Sequence, residues 1–280
     1  MERVEMAARK YLRRFRRNKR GISPAISSVI LTSAIIVMLL VVIAFVNSYL
    51  NGQIAQNEFN SMKQFMQTLG LQVDDVAWIP GRTQTLTYAS RYGAITFRSP
   101  ALTYSFYFDG LLVASFSVGV IMYNIPVSSY SIANNYFEEL FPSSNSFLQN
   151  GTAAPVGRVF VTEEMPMQDG SYIRVVVAPI VRQLNAVING INYANFYLPI
   201  LIPGPSPELS QSVTMTGLNV KQEIFNNVNN VTINVAVQTA GIGLSNSFFN
   251  FGATSQTVIL GQNSVVQIFG GNVTVSLGST

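Results

Sequence analysis

Six carboxylates stand in adjacent pairs: Asp74-Asp75, Glu138-Glu139 and Glu163-Glu164. A pair of carboxylates is what glycoside hydrolysis uses, with the two groups held about 5–9.5 Å apart across the scissile bond. Adjacent residues do not provide this by themselves. On a strand they point to opposite faces, and on a helix they diverge by about 100°. The chain has no histidine and no cysteine, which removes Ser-His and Cys-His pairs and the commonest transition-metal ligand. Zinc would have to rely on carboxylates alone. The glycines form no GxxxxGK phosphate loop. The carboxylates therefore read as solvated surface groups, with no enzyme activity, cofactor or metal expected.

A second chemistry is modification. Three N-x-S/T triplets occur, Asn150-Gly151-Thr152, Asn230-Val231-Thr232 and Asn272-Val273-Thr274. In a domain exported from the cell, Asn150, Asn230 and Asn272 are candidate N-glycosylation sites.

Export is decided by the elements ahead of these residues. Residues 1–21 hold nine Lys/Arg against two Glu, a net of +7, although the whole chain is only +4. The basicity is thus confined to a leading segment and does not form the folded basic face of a nucleic-acid-binding protein. From Ile22 to Val46 there is no charge at all, and the next charged residue is Glu58. At about 1.5 Å per residue such a run spans a bilayer core of about 30 Å. A cleaved secretory signal has a shorter apolar core of about 7–15 residues, then a small-residue cleavage motif, and "AFVNSYLNG" offers none. The basic flank places the N-terminus in the cytoplasm and the remainder outside. Ser23 as N-cap and Pro24 at the first helical position predict a helix that begins right after the basic segment.

Beyond the apolar run, Ala55, Phe59, Met62, Met66, Leu69, Val73 and Val76 recur in steps of four and three. This predicts an amphipathic helix with one buried stripe. Gly52 and Gly70 are weak points in it, and Pro80-Gly81 ends it. Trp78 reads as an anchor at the junction with the following domain.

At "KRGISPAISSVILTSAIIVMLLVVIAFV" the chain resembles archaeal type IV pilins. The resemblance implies a class III signal peptide ending in Lys19, Arg20 and Gly21, cut by a prepilin peptidase before Ile22. It also implies that the apolar helix stays on the mature subunit and polymerises into a filament core with the help of pilus assembly machinery. Pro24 falls at the third mature position, where many archaeal pilins have proline. Ile26 stands at the fifth, where bacterial pilins have Glu. Archaellins share the leader type but begin Gly-rich, unlike Ile22-Ser23-Pro24-Ala25. The resemblance covers roughly residues 15–82.

After Pro80 the texture changes to short runs of β-branched and aromatic residues. "TYSFYFDGLLVASFSV" is a hairpin with a two-residue type I′ turn at Asp109-Gly110. Further strands are expected at Gln84–Ala89, Ala94–Arg98, Gly157–Glu163, Tyr172–Pro179, Asn195–Ile202, Ser212–Val220, Val231–Gln238, Gln256–Leu260, Val265–Phe269 and Asn272–Leu277. Tyr104, Phe106, Phe108 and Phe116 read as core. Ser129–Phe141 reads as a short helix, and Leu201–Gln211 as a loop that is a candidate division between two lobes.

The expected fold class is α+β. Residues 1–21 are a basic leader. Residues 22–80 form a long helix, hydrophobic over 22–50 and amphipathic over 51–78. Residues 81–280 form an external, β-rich, sandwich-like domain. The expected function is a structural subunit of an extracellular filament that inserts in the membrane before assembly, forms a homo-polymer through its helix, and exposes its β domain for adhesion. It binds no nucleic acid. A signal-anchored surface protein that does not polymerise, such as a sugar-binding or envelope component, would share this topology.

Overall fold

The computed structural model describes residues 2–164, 170–205, 211–238 and 244–278. The side chains of residues 1–23 and 25 lie outside the description, including Lys19, Arg20, Gly21 and Ile22. The chain forms two compact units, Met1–Gln53 and Ile54–Thr280.

One helix, α1 (Glu2–Ala77), begins the chain, with Pro24 inside it. This corrects the expected start at Ser23-Pro24. The leading segment is dominated by Arg, Lys, Ala, Met and Leu, which are strong helix formers. Their summed preference carries the helix through a proline that, in an interior turn, removes one hydrogen bond and costs about 3 kcal/mol. A local start signal was outweighed by the segment before it. Gly52 and Gly70 likewise interrupt nothing.

In the second unit the predicted stripe is buried residue for residue, from Ala55 through Val76. It lies in a core with Ile121, Tyr123 and Ile125, Val159 and Val161, and Ile173, Val175 and Val177. Those partners come from three strands: β3 (Leu111–Pro126), β6 (Gly157–Glu163) and β7 (Tyr172–Pro179). The alternate residues of the same strands, Val118, Val120 and Met122, Phe160, and Val176 and Ala178, enter a second core. Strand period two has sorted one set of apolar residues to each face, so both faces of these strands are covered.

The second core is closed by β2 (Ala94–Phe108), β9 (Ile191–Pro203), β10 (Ser212–Val237) and β11 (Ser255–Leu277). With β1 (Thr83–Thr87), β4 (Tyr136–Phe141), β5 (Leu148–Asn150) and β8 (Val181–Ile188), they make one sheet of eleven strands. Its order is β4-β6-β7-β3-β2-β10-β11-β9-β8-β5, with β1 paired to β10 off that path. Phe106 of β2 and Phe196 of β9 are three strands apart in the sheet, yet their ring centroids are 6.0 Å apart. The sheet is therefore rolled over its own core. Register shifts in β10 between Phe225 and Asn230 mark where its pairing is broken, as bulges do where a strand must bend.

The Asp109-Gly110 turn forms as expected, with φ of 47° and 87°. A second such turn, Asn189-Gly190 with φ of 53° and 77°, joins β8 to β9. Its Asn-Gly signal is plain in the sequence, but β8 was not anticipated. The expected helix at Ser129–Phe141 is not formed, because Tyr136–Phe141 is β4 and pairs with β6. Tyr136, Phe137, Leu140 and Phe141 have helical spacing, but Asn135 at φ 61° turns the chain into the ladder, and tertiary pairing overrides the local pattern. β9 and β10, on either side of the 201–211 segment, both pair with β11 in the same sheet. Within that segment residues 206–210 lie outside the description.

Candidate functional site

Two features carry functional information: the surface of the apolar helix in the first unit, and the seat of the helix in the second.

Between Ile26 and Leu50 the helix is apolar on every side. Met38 is 72% exposed, Phe45 71% and Val29 65%. The helix is long and apolar enough to cross a membrane. Burying a side chain of this type is worth about 1.5–3 kcal/mol relative to water, so a surface dominated by them favours lipid or other apolar helices around it. Thr32 Oγ1 donates to the Ser28 carbonyl at 2.8 Å, which satisfies the hydroxyl within its own helix.

The seat is made by charge as well as by the buried stripe. Glu58, on α1, receives hydrogen bonds from Ser90 Oγ (2.6 Å), Tyr123 OH (2.7 Å) and the backbone N–H groups of Arg91 (2.9 Å) and Tyr92 (3.0 Å). Burial works to raise its pKa, but these donors outweigh it and hold the carboxyl below the usual value. Burial is also the main cause that pushes the Tyr123 hydroxyl up. Lys63 bridges Glu138 at 2.7 Å. Asp74 accepts from Trp78 Nε1 at 2.6 Å and from Arg182 at 2.9 Å. The Arg182 guanidinium in turn lies over the rings of Trp78 and Tyr197. Backbone contact completes the seat. A Cβ on Gly157 would lie 2.8 Å from the Gly70 carbonyl oxygen, and one on Gly271 would lie 2.5 Å from that of Ala77.

Five of the six paired carboxylates, Asp74, Asp75, Glu138, Glu139 and Glu163, thus hold partners within the fold. Asp75 pairs with Arg82 at 3.1 Å. Glu139 pairs with Arg158, whose guanidinium is buried over Phe160 and Phe251 and donates to the Phe249 carbonyl. Glu163, fully buried, accepts from Ser131 and from the Ile132 N–H. Among the described residues no group of three Asp or Glu gathers as metal ligands would. An open cleft lined by Arg91, Tyr92, Arg98, Asn124 and Tyr172 has no carboxylate in its described lining.

The three sequon asparagines are dispersed. Asn150 ends β5 and is exposed, and Asn230 is exposed in β10. Asn272 is half-buried in β11, where its amide donates to Asn219 Oδ1 at 2.6 Å. The role of Glu58 in seating the helix is not anticipated by the sequence. The available signal was that Glu58 is the first charge after the apolar run, on the polar flank of the stripe. Comparison with protein-family models, curated proteins and solved structures found no match.

Proposed function

We propose that the protein is a structural subunit of an extracellular pilus-like filament, similar in design to archaeal type IV pilins. In this reading the basic leader is removed after Gly21, the helix from Ile22 passes from the bilayer into a bundle of its copies, and the β unit faces outward. The outward face makes contacts with surfaces or other cells and is modified at Asn150 and Asn230.

The observation that carries the reading is the all-round apolar surface of α1 from Ile26 to Leu50, followed on the same helix by a stretch whose single stripe is buried. A side chain that cannot face water can exchange lipid for a helix bundle at little cost, since both are apolar. The exchange has a small driving force of its own, so machinery must direct it. The basic leader, the missing signal-peptidase motif and the Gly21-Ile22 junction support processing on the cytoplasmic side.

The test is intact mass and N-terminal sequencing of the native protein from sheared filaments and from membranes. A mature chain starting at Ile22 in the filament fraction is expected. A chain starting at Met1 and confined to the membrane fraction overturns the filament reading in favour of a simple anchored surface protein.

A further inference from the structure

The sixth paired carboxylate, Glu164, makes no hydrogen bond or ion pair among the described residues. It directly follows β6 and lines an open cleft of about 370 Å³ together with Thr162, Asn135, Ser247 and Asn250. The apolar part of the lining is aromatic. Phe137, opposite Thr162 in the β4–β6 ladder, stacks on Phe160 with ring centroids 5.3 Å apart, and the buried Phe248 also lines the cleft. Asn135 and Asn250 hold positive φ, 61° and 44°. Asn135 sits where the chain enters β4, and the Asn250 N–H closes a turn on the Ser247 carbonyl at 2.8 Å. Neither carboxamide bonds to another described residue, and nor does the hydroxyl of Thr162, a residue only 4% exposed. A hydroxyl on so buried a residue normally finds a partner. No Lys or Arg stands in the described lining.

We propose that this cleft binds the ring of a neutral sugar. A carboxylate only accepts hydrogen bonds, a carboxamide both donates and accepts, and a hydroxyl does either. Adjacent hydroxyls of a pyranose ring need this mixture, because each donates one bond and accepts others. Aromatic rings suit the apolar C–H face of the same sugar. A few convergent polar groups on an apolar lining, in a volume near the lower end for small-molecule sites, fit a ligand of one or two rings. A lone carboxylate with no cation beside it repels uronates, phosphates and sulfates. Calcium takes six to eight oxygen ligands, commonly from several carboxylates, and here there is one. The inference deepens the adhesive part of the proposed function by naming its ligand class. It does not depend on the helix polymerising, since every residue of the cleft belongs to the second unit.

The test is saturation-transfer NMR on the full-length chain, made without N-glycans and held in a zwitterionic detergent that carries no sugar. The probes are the methyl glycosides of glucose, galactose and mannose. At least one is expected to bind with a dissociation constant of about 1 mM, as befits a small ligand in an open site. Glu164→Gln keeps the shape but removes the charge, and is expected to weaken binding about tenfold. Asn250→Gly keeps the positive φ but removes the carboxamide, and is expected to weaken binding about fivefold. Both variants should keep the wild-type thermal midpoint. No binding by the folded wild-type chain, or undiminished binding by both variants, overturns the proposal. Glucuronic acid bound more tightly than the neutral glycosides overturns the assignment to a neutral sugar. Calcium bound by the wild-type chain but not by Glu164→Gln, with no glycoside bound, overturns it in favour of a metal site. Glycoside binding by a chain that forms no filaments upholds the site while the filament reading fails, and filaments whose subunits bind no glycoside do the reverse.

Discussion

The Tyr123 hydroxyl donates to the Glu58 carboxylate at 2.7 Å, joining α1 to β3 across 65 residues of sequence. The same carboxylate takes the Ser90 hydroxyl and the N–H groups that open the 91–93 turn. One side chain thus ties the 90–93 loop and β3 to the same turn of the helix. Replacing Glu58 by Gln keeps the shape but removes the charge from these bonds. Hydrogen bonds to charged groups contribute about 1.5–3 kcal/mol each when intact, and part is retained by the amide oxygen. A loss of about 1–3 kcal/mol in unfolding free energy is expected, read from denaturant midpoints.

The same clamp gives a pH dependence with a defined sign. The folded-state pKa of Glu58 lies below the ordinary 4.5, so its contribution is fully present above that value. It is lost as pH falls through the lower, folded value. The wild-type midpoint should drop between pH 6 and pH 3 by more than that of the Glu58→Gln variant. Equal slopes for the two proteins would remove Glu58 as a source of the effect.

The helix seat was largely legible from spacing. Seven residues with helical steps from Ala55 to Val76 are all in the core, because the 3.6-residue period leaves no other way to bury them together. The hairpin at Asp109-Gly110 was legible because two consecutive positive φ values select those residue types. β4 was not legible, since its aromatic residues satisfy helical and extended spacing alike and only the partner β6 decides. The Glu58 clamp joins residues 58, 90–93 and 123, and no local pattern encodes that meeting. The rolling of the sheet that brings Phe106 to Phe196 is likewise a property of strand order.

At Gly157 the backbone of β6 runs close to that of the helix. Replacing this glycine by Ala would put a methyl group 2.8 Å from the Gly70 carbonyl oxygen, where neither neighbour is a flexible side chain. Overpacking of this kind costs about 1–3 kcal/mol. A lowered thermal midpoint is expected, together with altered tryptophan fluorescence if the helix end bearing Trp78 shifts.

Met66 is fully buried at the centre of the stripe. Met66→Ala should destabilise the second unit by about 2–5 kcal/mol, the range for large-to-small changes in a core. Membrane insertion of the chain should be unchanged, as membrane fractionation would show, because Met66 lies outside the all-round apolar segment.

Val37 is 60% exposed, midway along that segment. A charge at the centre of a membrane helix costs about 2.5–3.5 kcal/mol. Val37→Lys should deplete the chain from the membrane fraction and from filaments, while the β unit keeps its thermal midpoint. Normal filament yield from this variant would contradict burial of the helix among its copies.

Gly271 and Gly217 bring β11 and β10 into close approach with the end of α1 at Ala77 and with the Val76 and Ile79 carbonyls. At that level β10 is held between β1 and β11, and β11 between β10 and β9. Tension at the helix end reaches the sheet along the chain into β1, which pairs only with β10 among the described residues, and also through these close backbone contacts with strands that have neighbours on both sides. Peeling β1 from β10 would therefore leave the helix end seated on two inner strands of the sheet.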